Sequence, residues 1–312
     1  MKYFITGGSG FVGSACTDRL IQQEHVVTVY DNLSSGKIVF LQQHFDNPRF
    51  KFIQGDTLDL PKLCEALVGH DAVFHFAANP DIARGMKEPD LDLKQSIIAT
   101  FNVLEAMRHN NVRFLFYPSG SGVYGDVGLT KTAESFGPLL PISMYGACKL
   151  GAEAVISAMC HMFDMQAWIF RFANVVGKRQ THGVAFDFIR RLKNDSTTLE
   201  ILGDGTQSKS YIHVDDVLDA VFFAREKAND RVNLFNVATD DYLTVREIAD
   251  LVVEEMSLRN VQYRFLGGDR GWKGDVPKVR FDLDLIHNLG WYAKRNSREA
   301  MRQSIREMLS LK

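Results

Sequence analysis

The chain has 312 residues, of which 46% are hydrophobic and 24% are charged, a balance typical of globular proteins and unlike that of disordered or fibrous chains. The 36 Lys and Arg residues are offset by 38 Asp and Glu residues, giving a net charge of -2. Such a chain has no long-range positive field that would attract nucleic acid or an anionic membrane. We therefore expect neither as a partner, and any phosphate-bearing ligand must be held by local contacts.

The four cysteines show no C-x-x-C pair and no metal-ligand spacing; they are Cys16, Cys64, Cys148 and Cys160. We expect no metal site and no disulfide framework. The first strand-like run starts directly after Met1, which leaves no room for a signal peptide, and no apolar run approaches the roughly 18 residues of a membrane span. These features predict a cytoplasmic protein.

From Lys2 to about Arg171, short apolar runs alternate with longer amphipathic segments, as in β-α-β units on a parallel sheet. The predicted strands are Lys2–Thr6, Val26–Tyr30, Phe50–Gln54, Ala72–Ala77, Val112–Tyr117 and Gln166–Arg171. The longest predicted helices are Leu91–Asn110 and Met144–Phe163. Both repeat apolar residues at helical spacing, so they are also the candidate seam of a homodimer.

After Arg171 the alternation loosens, and glycines mark loops between shorter elements. The helix-like segment His213–Glu226 and the strand-like segment Leu234–Val237 are expected to return to the sheet. We predict an α/β fold in which a doubly wound parallel Rossmann sheet is joined to a smaller C-terminal α/β substrate lobe. The Rossmann domain spans 1–171, rejoined by about 211–237, and the lobe spans 172–210 and 238–312.

A glycine-rich turn, Thr6-Gly7-Gly8-Ser9-Gly10-Phe11-Val12-Gly13, follows the first predicted strand and opens a helix. Positions without side chains let the backbone approach a pyrophosphate and aim helix N-terminal amides at its charge. Such a turn alone is also typical of a simple loop, but Asp31 ends the second strand roughly 20 residues on, where a carboxylate accepts the adenosine-ribose hydroxyls. A carboxylate there repels a 2′-phosphate, and the next residue is Asn32 rather than Arg. NAD is therefore favoured over NADP.

Tyr145 and Lys149 form a Tyr-x-x-x-Lys pair at the start of a predicted helix, so both side chains project from one face. Alone, such a pair is common on helix surfaces. To act as a base near neutrality, the phenol must have its pKa lowered from about 10 to roughly 7. Lys149 and the positive nicotinamide ring are expected to lower it jointly.

Further motifs follow in chain order: Gly55-Asp56, His75-Phe76-Ala77-Ala78, Val123-Tyr124-Gly125, Arg171-Phe172-Ala173-Asn174-Val175-Val176-Gly177, Gly203-Asp204-Gly205, Tyr211-Ile212-His213-Val214 and Gly274-Asp275-Val276-Pro277. With the glycine turn, Asp31 and the Tyr145/Lys149 pair, they resemble the extended short-chain dehydrogenase/reductase family of NAD-dependent epimerases and dehydratases. The resemblance covers nearly the whole chain and is greatest to the UDP-glucose/UDP-galactose 4-epimerases.

The resemblance implies a reaction without net redox change. The tyrosine takes a proton from the sugar 4-hydroxyl while the C4 hydride passes to NAD, and the 4-keto sugar turns over and takes the hydride back. The implied NAD contacts are Gly7, Gly10, Phe11, Val12, Gly13, Asp31, Asn32, Ser35, Gly36, Asp56, Thr57, Phe76, Ala77, Ala78, Ser119, Tyr145, Lys149 and Phe172. The implied nucleotide-sugar contacts are Asn174, Val184, Lys209, Tyr211, Arg270 and Asp275.

The chain departs from the family pattern at the catalytic hydroxyl. Gly120 stands where the family has Ser or Thr, so the hydroxyl is expected from a neighbour, Ser121 rather than Ser119. The alternative is that both serines only satisfy backbone groups of the loop.

Other departures concern the positions around the active-site helix and the substrate. Ser96 replaces an asparagine beneath that helix. Lys209 replaces a substrate arginine and loses its planar fork. Trp272 stands at a second arginine position, which leaves Arg270 as the nearest candidate for a diphosphate contact.

Three functions remain open. The leading one is an NAD-dependent nucleotide-sugar 4-epimerase, with Tyr145, Lys149 and Ser121 as catalytic residues. A second is another enzyme of the family, such as a different epimerase or a 4,6-dehydratase; dehydratases need an Asp-Glu pair where this chain has Ser121 and Gly122. The third is a non-catalytic NAD-binding regulator, which Gly120 favours and the retained Tyr145/Lys149 pair disfavours.

Overall fold

The structure is a computed structural model that describes residues 1–80 and 84–310. In chain order the strands are β1 (Lys2–Thr6), β2 (Val26–Asp31), β3 (Phe50–Gln54), β4 (Ala72–His75), β5 (Phe114–Gly120), β6 (Gln166–Phe172), β7 (Asn174–Val176), β8 (Thr198–Ile201), β9 (Ser208–Lys209), β10 (Tyr211–His213), β11 (Val232–Val237), β12 (Leu243–Thr244) and β13 (Gln262–Phe265). The helices are α1 (Phe11–Gln22), α2 (Leu60–Ala66), α3 (Pro89–Asp92), α4 (Ala99–His109), α5 (Met144–Phe163), α6 (Val184–Asn194), α7 (Val214–Lys227), α8 (Val245–Glu255), α9 (Asp284–Leu289) and α10 (Ser297–Ser310).

Seven strands form the main sheet, in the order β11-β6-β5-β4-β1-β2-β3. The pairs β1/β2, β1/β4, β2/β3 and β4/β5 are parallel. The strand order reverses at β1, as in a doubly wound Rossmann sheet, and ligands bind such sheets at the carboxyl ends of the strands beside this reversal. The predicted fold class is confirmed. The glycine-rich turn follows β1, so it lies at this reversal point.

The chain forms two compact units. The first contains Met1–Val123, Met144–Arg171 and Val221–Phe235, and the second contains Tyr124–Ser143, Phe172–Ala220 and Asn236–Lys312. The assignment of a substrate role to the second unit stays a prediction.

The sheet of the first unit buries apolar side chains on both faces, which is why its strands read as continuous apolar runs. On one face, Leu115 and Ile169 belong to a core that also includes Val103 of α4 and Ile156 of α5. The other face carries stacked aromatic rings, with centroids 4.3 Å apart for Phe74 and Phe116 and 5.0 Å for Phe116 and Trp168. Each ring buried in this way contributes about 1.5–3 kcal/mol.

The second unit has its own core, in which Phe188 of α6, Leu251 of α8 and Ile305 of α10 are buried together. Helix α8 begins with a capping box. The Thr244 hydroxyl accepts the Glu247 amide at 3.2 Å, and the Glu247 carboxylate accepts the Thr244 amide at 2.8 Å. Two helix-terminal donors are thereby satisfied.

Several predicted elements differ at their ends or in type. The segment Leu91–Asn110 is not one α-helix, because Leu93–Ile98 is π-helical, and apolar spacing over so short a run does not separate the two helix types. The strand predicted from Val112 begins at Phe114, after a left-handed turn at Asn111 with φ of +57°. His213, predicted as helical, ends β10, where it pairs with Val176 of β7.

His213 ties β10 to the C-terminal helix and predicts a pH dependence of stability. Its Nε2 lies 3.2 Å from a carboxylate oxygen of Glu307, and its Nδ1 lies 3.3 Å from one of Asp215. Burial lowers the pKa of His213, but these carboxylates outweigh burial and raise it to about 9. Because this is above the unfolded value of about 6.5, the stabilisation is complete below that pH and is lost as the pH rises through about 9.

We therefore expect the free energy of unfolding to fall by on the order of 2 kcal/mol between pH of about 6.5 and about 9.5. Urea unfolding at the two pH values measures this change. The variant His213→Gln should lose that part of the pH dependence, and an unchanged dependence in the variant would contradict the assignment.

Candidate active site

The glycine-rich turn is shaped so that backbone, and not side chains, faces the end of β1. Gly7 has φ of +67°, in the left-handed region that favours glycine, and a Cβ there would lie 2.5 Å from the backbone nitrogen of Ala77. A Cβ on Gly13 would overlap the carbonyl oxygen of Gly7, so α1 packs directly on the turn. Among the described residues no side chain caps α1 at Gly10. Its first amides are thus available to a ligand such as a pyrophosphate.

Asp31, the predicted ribose acceptor, lies at the end of β2. Its carboxylate is buried and accepts the Ser9 amide at 2.9 Å and the Leu33 amide at 2.8 Å. A carboxylate has about four lone-pair positions, so acceptor capacity for two ribose hydroxyls remains. Gly36 closes over it, since a Cβ on Gly36 would lie 3.1 Å from both carboxylate oxygens.

The next predicted cofactor residues surround Asp56, after β3. Asp56 accepts the Leu58 amide at 2.9 Å and the side-chain amide of Asn32 at 3.0 Å. The carbonyl of Thr57 accepts the Asn102 side chain at 3.0 Å. The structure thus brings Asn32, Asp56 and Thr57 together beside Asp31. The predicted Phe11, Val12, Ser35, Phe76, Ala77 and Ala78 are all partly or fully exposed in this unit.

Tyr145 and Lys149 lie one turn apart at the start of α5. The Lys149 ammonium is buried and donates to the Pro118 carbonyl of β5 at 2.8 Å. It lies 4.6 Å from the centroid of the Tyr117 ring and 5.9 Å from that of Tyr145. The lysine is therefore fixed against β5 and beside the Tyr145 ring.

Burial, together with the charge of Asp92, raises the pKa of Tyr145 to about 12. Burial lowers the pKa of Lys149 to about 8, against the opposing effect of Glu153 and Asp92. The expectation that Lys149 lowers the pKa of Tyr145 is therefore not met by the chain alone, because desolvation of the phenolate dominates. If Tyr145 acts as a base, the positive charge of bound NAD would have to lower its pKa.

The two serines beside Gly120 have different environments. Ser119 is buried and donates to a carboxylate oxygen of Glu153 at 2.5 Å. Glu153 also forms a buried ion pair with Arg171, whose Nη2 lies 2.7 Å from the other oxygen. Ser119 is thus committed to a structural network.

Ser121 begins a short 3-10 turn, Ser121–Tyr124, and is partly exposed. The following residue, Gly122, packs on the start of α5, since a Cβ there would lie 3.8 Å from Cδ1 of Tyr145. The turn therefore brings the Ser121 segment next to the catalytic tyrosine.

The predicted substrate residues lie in the second unit, and most of them are in contact. Lys209 donates to Asp275 at 2.7 Å, and Arg270 donates to the backbone oxygen of Asp275 at 2.9 Å. Asn174 of β7 pairs with Tyr211 of β10. Val184 begins α6, and Phe172, predicted for the cofactor, is buried at the end of β6.

Residues 3–238 match the model of the NAD dependent epimerase/dehydratase family. The chain belongs to this family. It is 33% identical over 255 residues to the UDP-glucose 4-epimerase of Mycolicibacterium smegmatis, with 80% of each chain covered. It is 30% identical over 321 residues to UDP-arabinose 4-epimerase 1 of Arabidopsis thaliana, with 93% of this chain and 75% of that one covered. The Thermus thermophilus UDP-glucose 4-epimerase, solved in complex with NAD, superposes with a TM-score of 0.88 at 27% identity, with 100% of both chains covered.

As a member of this extended short-chain dehydrogenase/reductase family, the chain uses NAD as its cofactor. The residues of the glycine-rich turn fit this cofactor. Gly7 and Gly13 leave no room for a side chain against the Ala77 backbone and the Gly7 carbonyl, which gives the tight turn and close helix packing that a backbone-bound pyrophosphate needs. In the described chain, no helix is long and apolar enough to cross a membrane.

Asp31→Ala is expected to relax the preference for NAD over NADP, because it removes the acceptor of the ribose hydroxyls and the charge that repels a 2′-phosphate. Loss of a hydrogen bond to a charged group costs about 1.5–3 kcal/mol, so NAD affinity should fall about tenfold or more. Calorimetric titration of both dinucleotides measures this. Equal NAD and NADP affinity in the unaltered protein would refute the role given to Asp31.

The sequence prediction missed Asp92 and Glu153. Asp92 is fully buried in α3 and accepts the Asn79 side chain at 2.9 Å, and its charge opposes ionisation of Tyr145. No sequence pattern marked it. Glu153 stands four residues after Lys149 on the same helix, a spacing that indicates a shared face.

His75 has a packing role at the end of β4. Its ring nitrogens lie 2.7 Å from the Thr6 hydroxyl and 3.1 Å from that of Thr100. Burial lowers the pKa of His75 to about 3, with Lys149 adding to the decrease. The His75 imidazole is therefore neutral and held by two hydrogen bonds, so it does not act as a base.

Proposed function

We propose that the protein is an NAD-dependent nucleotide-sugar 4-epimerase that interconverts UDP-glucose and UDP-galactose. The observation that carries the proposal is the arrangement at the start of α5. Lys149 is fixed to the Pro118 carbonyl at 2.8 Å, and the Ser121 turn packs against Tyr145. The similarity to 4-epimerases of UDP-hexoses and UDP-pentoses supports the same reaction type.

Bound NAD supplies the oxidant, and later the reductant, for C4 of the sugar. Tyr145 takes the proton of the 4-hydroxyl as C4 is oxidised and returns it when the opposite face is reduced. Lys149 is buried and mostly protonated near neutrality, since its pKa is about 8, so it stabilises the phenolate electrostatically. Ser121 donates a hydrogen bond to the same sugar oxygen, in place of the hydroxyl missing at Gly120.

The second unit binds the nucleotide in this proposal. Lys209 and Arg270 are the cations that we assign to the expected diphosphate, and Asn174 and Tyr211 are neighbours on paired strands. Asp275, buried at 4% exposure, orients both cations through its carboxylate and backbone oxygens.

Product analysis tests this function directly. Purified protein with NAD is incubated with UDP-glucose, UDP-galactose, UDP-xylose or UDP-arabinose, and the nucleotide sugars are separated by chromatography. We expect the two UDP-hexoses to interconvert. Exclusive turnover of UDP-xylose and UDP-arabinose would show a 4-epimerase of a different substrate. A 4-keto-6-deoxy product would indicate a dehydratase. No turnover of any sugar would support a non-catalytic regulator.

We also propose a homodimer formed through the segments 91–110 and 144–163. The proposal rests on apolar side chains that these segments expose, including Phe101 at 44% and Met162 at 70%. A helix pair of this kind packs on its copy in a C2 dimer. Light scattering of the purified protein measures its oligomeric state. A monomer at micromolar concentration would refute the proposed dimer.

A further inference from the structure

A tryptophan stands over the lysine of the predicted diphosphate subsite. The Lys209 ammonium lies 5.6 Å from the centroid of the Trp272 ring, within the range of about 6 Å for a cation–π contact. The same ammonium donates to the buried carboxylate of Asp275 at 2.7 Å. An ammonium has three donor directions. A carboxylate and an aromatic face hold Lys209 on two sides, and one direction remains for a ligand.

The neighbouring cation is committed to two other oxygens. Arg270 donates to the Asp275 carbonyl at 2.9 Å and to the Asp126 carboxylate at 2.7 Å. Asp269 adds a third carboxylate, 3.8 Å from Arg270 Nε, so two cations face three carboxylates and the subsite holds no surplus positive charge. Because Arg270 is engaged in this way, attraction of a diphosphate depends mainly on how well the Lys209 ammonium is oriented, since a lysine lacks the rigid fork of an arginine.

We infer that Trp272 is a positioning residue that holds the Lys209 ammonium toward the diphosphate of the nucleotide sugar. The inference deepens the proposed function and rests on it for the identity of the ligand. A long lysine side chain loses rotamer freedom when it binds. The indole restricts that freedom before the ligand arrives, so less conformational entropy is lost when Lys209 binds the diphosphate.

The variants Trp272→Leu and Trp272→Phe separate an aromatic face from simple bulk. Leucine removes the π-face and should weaken binding of UDP about twofold to fivefold, the range of an exposed cation–π contact. Phenylalanine should restore most of that affinity. Uridine has no phosphate, so its binding should be equal in all three proteins. Calorimetric titration of UDP and uridine provides the dissociation constants.

A double-mutant cycle with Lys209→Gln isolates the contact. In that background Trp272→Leu should cause no further loss of UDP affinity. A full additional loss would overturn the inference, and so would wild-type UDP affinity in Trp272→Leu. Equal weakening of UDP and uridine would also overturn it, because Trp272 would then contact the nucleoside.

Fluorescence gives a readout that does not depend on turnover. Trp272 is 38% exposed, whereas Trp168 and Trp291 are 3% and 6% exposed, so added UDP should change mainly the emission of Trp272. The change should vanish in Trp272→Phe. If UDP acts in this way but no nucleotide sugar is epimerised, the proposed function fails while the inference holds. If the unaltered protein binds no UDP, both fail.

Discussion

Tyr145→Phe is expected to reduce turnover of the nucleotide sugar by about 10²–10⁴, the usual contribution of a positioned acid or base. The substitution removes only the phenolic hydroxyl. The ring remains against the Gly122 turn, and Lys149 keeps its bond to the Pro118 carbonyl. Binding of NAD and of UDP should therefore stay within about twofold of wild type. Steady-state kinetics and calorimetry measure the two effects separately.

A matched control is Tyr292→Phe, which removes the same hydroxyl from a side chain that is 60% exposed. This variant should retain full activity. If Tyr145→Phe kept a near-normal kcat, another group would have to transfer the proton, and the proposed role of Tyr145 as acid/base would be refuted.

The pKa of Tyr145 explains why the cofactor and the acid/base group must act together. In the chain alone, burial raises this pKa to about 12, with Asp92 adding to it. A phenol with such a pKa is fully protonated near neutrality, so it cannot accept the sugar proton. Because the charge of oxidised nicotinamide is positive, bound NAD is expected to lower the pKa of Tyr145. Titration of tyrosinate absorbance should therefore show an ionisation that is present only with oxidised NAD.

The sequence was sufficient for the sheet and for the dinucleotide turn, for local physical reasons. The turn needs glycines because Gly7 is left-handed and Gly13 touches the Gly7 carbonyl, and only that residue type fits. Asp31 ends β2, whose apolar run is evident in the sequence. Such features depend on a few adjacent residues, so they can be recognised in the sequence.

The parts that the sequence did not reveal depend on long-range pairing. Ser119 and Ser121 look equivalent in the chain, but Ser119 bonds to Glu153, which is 34 positions away. The contact between Lys209 and Trp272 likewise joins distant segments. Leu93–Ile98 adopts a π-helix, although its apolar spacing fits an α-helix equally well. Each of these outcomes is decided by tertiary contacts.

Ser121→Ala should mainly lose activity, whereas Ser119→Ala should mainly lose stability. If Ser121 donates to the sugar oxygen, its loss should lower kcat by about 10²–10³, as for one electrostatic donor, with little change in stability. Ser119→Ala removes a hydrogen bond to a buried carboxylate, so it should lower the free energy of unfolding by about 1.5–3 kcal/mol while the folded enzyme keeps its kcat. Activity assays and urea unfolding distinguish the two.

Gly120→Ser returns the hydroxyl to the position where the family has it and completes this test. Gly120 is the last residue of β5, and the extended backbone of a strand also accommodates serine. The double variant Gly120→Ser with Ser121→Ala should therefore recover much of the kcat lost in Ser121→Ala, because either hydroxyl can reach the same oxygen. If the double variant folds but recovers nothing, Ser121 does not act as a hydroxyl donor to the sugar. Wild-type kcat in both single alanine variants would show instead that the serines only complete the loop, and Tyr145 would then act with a water molecule or another donor.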